Sequence, residues 1–181
     1  LDKKEKFLTV PVLSKGSFHQ KINEVKINKD TDYISKHLKT IELNYKKTDF
    51  FGDIYPNLKE IYLKNHIFLK DLNYDLITFF RSYLDIKTEL VISSSLNIEG
   101  KKEKEIDEIC KKLKCKKYLS TLGSKEYLDN LSNIDYEIKY YEILYENTGT
   151  KSKINLCLLD VMFNIGKLTN EYIDKKFKII K

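Results

Sequence analysis

The stretch KKYLSTLGSKEYLD, Lys116 to Asp129, decides how the second half of the chain is read. A short apolar run, KKYLS, stops at Ser120; small residues continue through Ser124, and the helical pattern SKEYLDNLS follows. A strand that turns through a few polar residues into a helix is the repeating unit of an α/β protein. The same alternation flanks it on both sides. Upstream, TELVISSS reads as a strand ending in serines, and EGKKEKEIDEICKKLK as a helix with Ile106, Ile109, Cys110 and Leu113 on one face. Downstream, YEIKYYEIL reads as a third strand. Strands separated by helices pair in parallel through right-handed crossovers. The expectation is therefore an α/β fold whose mostly parallel sheet is flanked by helices.

The first half reads differently. FLTVPV (Phe7 to Val12) and KINEVKI (Lys21 to Ile27) suggest a strand pair joined by a loop around Gly16, with Pro11 keeping the first strand at an edge. A helical insertion of about three helices follows. Asp30 and Thr31 are cap candidates for the first, whose stripe is Ile34, Leu38, Ile41 and Tyr45. Pro56 suits the first turn of the second, which carries Leu58, Ile61 and Tyr62. The third runs from Leu69 to Leu84, with Leu72, Leu76, Phe79, Phe80 and Tyr83 on its buried side. A last helix is expected from Asn155 to Ile165, stopped by Gly166. No repeat, low-complexity tract or Pro/Gly-rich linker interrupts the chain, so a single domain over residues 1–181 is expected.

Composition narrows the function classes. The chain is 41% hydrophobic and 33% charged, which is globular rather than disordered. No apolar run approaches the ~20 residues of a membrane span. The N-terminal apolar run is too short for a signal peptide, and Pro11 interrupts it, so the expected compartment is the cytoplasm. A net charge of +6 invites a nucleic-acid reading. Against it, Arg81 is the only arginine, and base-edge or phosphate recognition usually relies on arginine forks. The charge reads as a solvated lysine surface, with nucleic-acid binding resting on charge alone. Cys110, Cys115 and Cys157 have neither disulfide-framework nor zinc spacing.

Ligands of parallel α/β units bind beyond the carboxyl ends of the strands. Two such ends carry small hydroxyl residues: Ser93, Ser94 and Ser95 before Gly100, and Ser120, Thr121, Gly123 and Ser124. A helix N-terminus with free N–H groups suits a phosphate or carboxylate there. Neither stretch is a P-loop or a GxGxxG, and Ser and Thr also serve as ordinary N-caps. On the first helix a polar stripe, Tyr33, His37, Thr40 and Asn44, could line a sugar or amine site with His37 as general base. The other reading of the stripe is a helix flank whose histidine packs at the core edge. Asp160 interrupts the otherwise apolar NLCLLDVMFNIG; such a carboxylate is either a perturbed acid or base, or a clamp on backbone N–H groups, and Asn164 stands one turn on. No metal cluster and no nucleophile triad stands out, and no cofactor is indicated.

LTVPVLSKGSFHQKINEVKI, SKHLKTIELNYKKTDFF, SSSLNIEGKKEKEIDEICKKLKCKKYLS, GSKEYLD and LLDVMFNIG together resemble the WbqC-like family of bacterial surface-polysaccharide gene clusters. The resemblance spans nearly the whole chain in order. It points to Gln20, His37, Thr40, Tyr45, Lys46, Ser94, Gly100, Lys101, Tyr118, Ser120, Gly123, Tyr127, Asp160, Asn164 and Gly166. It implies a role in building O-antigen (lipopolysaccharide) or capsular sugars, as a transferase that modifies a nucleotide-linked amino sugar by acyl or aminoacyl transfer. The catalytic candidates are then His37 and Asp160. Gln20, Thr40, Lys46, Ser94, Gly100, Lys101, Ser120, Gly123 and Asn164 are the substrate or phosphate candidates. Partners implied are a nucleotide-sugar or amino-sugar and other polysaccharide-biosynthesis enzymes. The rival reading is a non-catalytic accessory subunit of a polysaccharide assembly complex. Family members usually open with a strand running into a His-Gln-Pro segment, so an N-terminally truncated fragment is expected. They also tend to carry Gly where Thr121 stands, which weakens a phosphate cradle at that junction.

Overall fold

The computed structural model describes residues 7–14, 20–100, 102–143 and 157–180. Two compact units divide the chain: residues 1–87 with 146–170, and residues 88–145 with 171–181.

The first unit is helical. α1 (Tyr33–Tyr45), α2 (Phe51–Leu63) and α3 (Leu69–Tyr83) follow one another, and α6 (Leu158–Ile165) joins them from far along the chain. The expected strand pair is reduced to a single antiparallel bridge, Val12 with Ile27, flanked by Leu13 N–H to Lys26 O and Asn28 N–H to Pro11 O. A 3₁₀ turn at Ile22–Glu24 takes up the residues that would have lengthened it. The expected loop around Gly16 lies outside the described residues.

The cap of α1 is Asp32, whose carboxylate accepts from Ser35 N–H at 3.1 Å, rather than Asp30 or Thr31. Pro56 stands in the interior of α2, which already begins at Phe51. The proline forfeits only a bond to the carbonyl of exposed Gly52, and the helix continues. One core cluster joins Ile27, Tyr33, Leu38, Ile61, Tyr62 and Leu72. A second joins Ile41, Ile54, Leu58, Leu84, Met162 and Phe163. Each fully buried aliphatic or aromatic side chain here contributes about 1.5–3 kcal/mol. α6 ends at Gly166, whose φ of 59° with ψ of −134° is open to glycine, and a Cβ there would stand 2.4 Å from the Phe50 ring.

In the second unit, α4 (Glu103–Lys112) leads to β1 (Lys117–Thr121), a 3₁₀ turn at Leu122–Ser124 and the four-residue α5 (Lys125–Leu128). β2 (Glu137–Ile143) follows; after α6, α7 (Thr169–Lys176) runs into β3 (Phe177–Ile180). The fold is α/β as expected, but the sheet is small and mixed. β1 pairs with β2 in parallel, Ser120 opposite Tyr140, and β2 pairs with β3 antiparallel, Tyr141 opposite Ile179. A mostly parallel sheet is not formed, for two reasons. TELVI, expected as a strand, joins no ladder: residues 88–92 are without regular structure, Ser93–Leu96 is a 3₁₀ turn, and Leu90, Val91 and Ile92 remain exposed. A strand exists only through a partner. Sequence pattern also gave no sign of β3, which supplies the antiparallel edge.

Candidate functional site

In the first unit Tyr45, the last residue of α1, meets Asp160 in the first turn of α6. The Tyr45 hydroxyl donates to Asp160 Oδ1 at 3.0 Å. The tyrosine ring stacks on Phe163, with centroids 4.6 Å apart and planes at 17°, and Phe163 in turn stacks on Phe51. The apolar periodicity of both helices brings these rings together, and the carboxylate arrives with them. Asp160 is only 5% exposed, and among the described residues its Oδ2 is buried with no hydrogen-bond partner. Burial raises the proton affinity of the carboxyl above the ordinary aspartate range, while the bond from Tyr45 opposes that shift. The Tyr45 phenol is also held up, by burial first and then by the neighbouring carboxylate. Asn164 Nδ2 donates to the Asp160 backbone carbonyl at 2.7 Å, which fixes the turn but leaves Oδ2 alone.

His37 belongs to the other cluster. It is 5% exposed, with Nε2 3.2 Å from Thr9 O and Nδ1 3.2 Å from the Tyr62 hydroxyl. A carbonyl can only accept, so Nε2 carries the hydrogen and Tyr62 donates to Nδ1. Tyr33 and Tyr62 both meet the imidazole edge to face. Burial lowers the proton affinity of the ring, opposed by the Thr9 carbonyl. Both nitrogens are thus occupied within the protein. His37 and Tyr45 are eight residues apart on one helix, about 12 Å along its axis, so the histidine and the carboxylate form separate centres.

The remaining first-unit candidates serve local backbone. Thr40 Oγ1 donates to Lys36 O, Gln20 Nε2 donates to Glu24 O, and the Lys46 backbone N–H caps α1 on Glu42 O. A cavity of about 380 Å³ opens at the start of α1, lined by residues 29–34 and Asn65; of the polar stripe it includes Tyr33 and none of His37, Thr40 and Asn44.

In the second unit Ser94 is exposed within the 3₁₀ turn. Gly100 packs against α4, where a Cβ would stand 2.6 Å from Glu105 N, so the glycine is needed for a loop lying on the helix. Lys101 lies outside the described residues. Ser120 is 5% exposed in β1, and Gly123 has room for a side chain, since a Cβ there would come no closer than 4.0 Å, to Thr121 Oγ1. The Lys116–Asp129 junction is a turn, as expected, but neither Thr121 nor Ser124 makes a side-chain cap bond. α5 is too short to present a developed helix terminus.

Tyr45 and Tyr62 are the contributors that residue-by-residue reading assigned to the apolar faces alone. Their hydroxyls reach partners 115 and 25 positions away, and no local pattern reports such a distance. Among the described residues no group of three His, Cys, Asp or Glu is placed to hold a metal ion, and no helix is long and apolar enough to cross a membrane.

Compared with known sequences, the chain matches the model of the WbqC-like protein family over residues 1–172. It is 29% identical over 174 residues to "Uncharacterized protein Rv1507c" of Mycobacterium tuberculosis (strain ATCC 25618 / H37Rv), covering 92% of this chain and 75% of that protein. No solved structure matches significantly.

Proposed function

The chain belongs to the WbqC-like protein family, and we propose that it is a transferase that modifies a nucleotide-linked amino sugar, by acyl or aminoacyl transfer, during assembly of bacterial O-antigen or capsular polysaccharide. Asp160 carries this reading. A carboxylate with one oxygen on Tyr45 and the other buried without a partner among the described residues destabilises the fold. Groups with environments this unfavourable concentrate at functional sites. Transfer of an acyl group to an amine requires a base for the proton of the attacking nitrogen, and a carboxylate with raised proton affinity suits that task. Tyr45 orients Oδ1 and Asn164 steadies the turn. In the same unit Gln20, Thr40 and Lys46 are proposed for the sugar, and His37, in its own cluster, as a second base once Tyr62 releases Nδ1. Within the second unit, taken by itself, Ser94, Gly100, Lys101, Ser120 and Gly123 are proposed as phosphate-binding residues.

Turnover of UDP- and dTDP-linked amino sugars, with acyl-CoA or with ATP and an amino acid as donor, tests the proposal. Asp160→Asn should lower kcat at least about a hundredfold while remaining folded, and a loss under about tenfold removes Asp160 from the mechanism.

The accessory-subunit reading has one observation in its favour: His37 has both nitrogens engaged internally. Copurification with a glycosyltransferase, together with no turnover of any sugar nucleotide, would establish it.

A further inference from the structure

α4 ends in a Schellman motif. Lys114 adopts φ 51°, its N–H bonds Lys111 O at 3.1 Å, and Cys115 N–H reaches back to Cys110 O at 2.9 Å. This geometry folds the residue after the left-handed position onto the third-last helical residue, and their side chains touch. In most proteins that contact is between two apolar side chains; here it is between two thiols. Cys110 is 2% exposed and Cys115 is half-buried, and both are free. Asp107 lies on the same helix face, one turn before Cys110. Its Oδ2 receives Lys111 Nζ at 2.7 Å, and the buried Tyr136 hydroxyl stands against both the Asp107 carboxylate and the Cys110 thiol. Burial, and next the neighbouring Cys115, push the Cys110 thiol up to about 11. Among the described residues no three His, Cys, Asp or Glu side chains, Asp107 with the two thiols included, are placed to hold a metal ion, and two thiols in contact are suited to redox chemistry.

We propose that Cys110 and Cys115 are an oxidisable dithiol that closes to an intramolecular disulfide in the folded protein, with peroxides as the oxidant class. The better exposed Cys115 reacts first. Its thiolate sulfur attacks one peroxide oxygen, the O–O bond breaks, and the departing hydroxide takes a proton to leave as water, giving a sulfenic acid. Cys110 then gives up its proton, with the Asp107 carboxylate as the acceptor at hand, and its sulfur attacks Cys115 Sγ. The S–S bond forms, the S–O bond breaks, and the second oxygen leaves as water with that proton. Two thiols and one peroxide become one disulfide and two waters; the peroxide takes the two electrons.

The full chain is reduced, freed of reductant, treated with hydrogen peroxide, then unfolded and alkylated. The expected product has lost the mass of two hydrogens, has one alkylatable thiol, Cys157, of its three cysteines, and yields a Cys110–Cys115 linked peptide that dithiothreitol releases. Cys157→Ser should close as the wild type does, and Cys115→Ser should not. Closure in urea should be slower by about tenfold or more, because the turn supplies the proximity. Oxygen adducts on Cys115 or Cys157 with Cys110 still alkylatable would overturn the proposal, and so would closure equally fast in the unfolded chain.

Discussion

Asp160 and His37 are buried polar side chains whose protons respond to the fold in opposite directions. Asp160 holds its proton more tightly in the folded chain than the ordinary value of 3.8. Its contribution is therefore fully present at low pH and is lost as pH rises through the folded value. Asp160→Asn should remove that loss, so thermal melts of variant and wild type should diverge in the variant's favour as pH rises from about 4. A constant difference would mean that the carboxylate is not perturbed. His37 behaves the other way, since its folded value lies below 6.5. Its stability is complete above about pH 6.5 and falls on acidification, as the unfolded chain takes up the proton first. Urea midpoints at about pH 7.5 and pH 5.5 should therefore fall more in wild type than in His37→Phe, the other histidines being common to both. Equal falls would refute a buried neutral His37. The sequence exposed the anomaly at Asp160, because a carboxylate in NLCLLDVMFNIG has nowhere comfortable to go. It could not expose Tyr45 as the partner, since a tyrosine on an apolar stripe reads as core.

At the scale of elements, most helices were legible, although α2 begins at Phe51 rather than near Pro56, α5 is cut to four residues and α7 was not foreseen. α1 and α3 carry the expected stripes and α6 ends where expected, because the bonds of a helix lie within the segment that forms it. Gly166 was visible as a stop, but its demand is tertiary as well as local, because the Phe50 ring fills the space where a side chain would go. Gly166→Ala should destabilise the protein by about 2–4 kcal/mol, combining the positive φ with overpacking. Phe50→Leu in the same chain should recover part of that cost, and failure of the double variant to improve on the single one in urea unfolding would leave only the backbone term. Gly100 offers no such rescue, since its close neighbour is the backbone of Glu105.

At the scale of the molecule, the second unit depends on a strand that arrives last. β2 is the central strand, paired on one side with β1 and on the other with β3. Ending the chain at Lys176 should therefore raise amide exchange in Glu137–Ile143 by about tenfold or more, with a smaller change in α1 to α3. Unchanged exchange in β2 would mean that β3 does not hold it. The parallel β1–β2 pair was legible, as was the turn after it; the mixed sheet was not, because TELVI and FKII look alike as short apolar runs.

The sequence by itself determined the helices other than α7, the stop of α6 at Gly166, the α/β class, the family, and the presence of a carboxylate out of place. Those properties depend on neighbours within a few residues or on the whole pattern in order. Tertiary structure alone decided which apolar runs became strands, that the sheet is mixed, and that His37 and Asp160 sit in different clusters with tyrosine partners. Strand bonds and buried hydroxyl contacts join positions far apart in the chain, and their formation depends on what packing brings within about 3 Å.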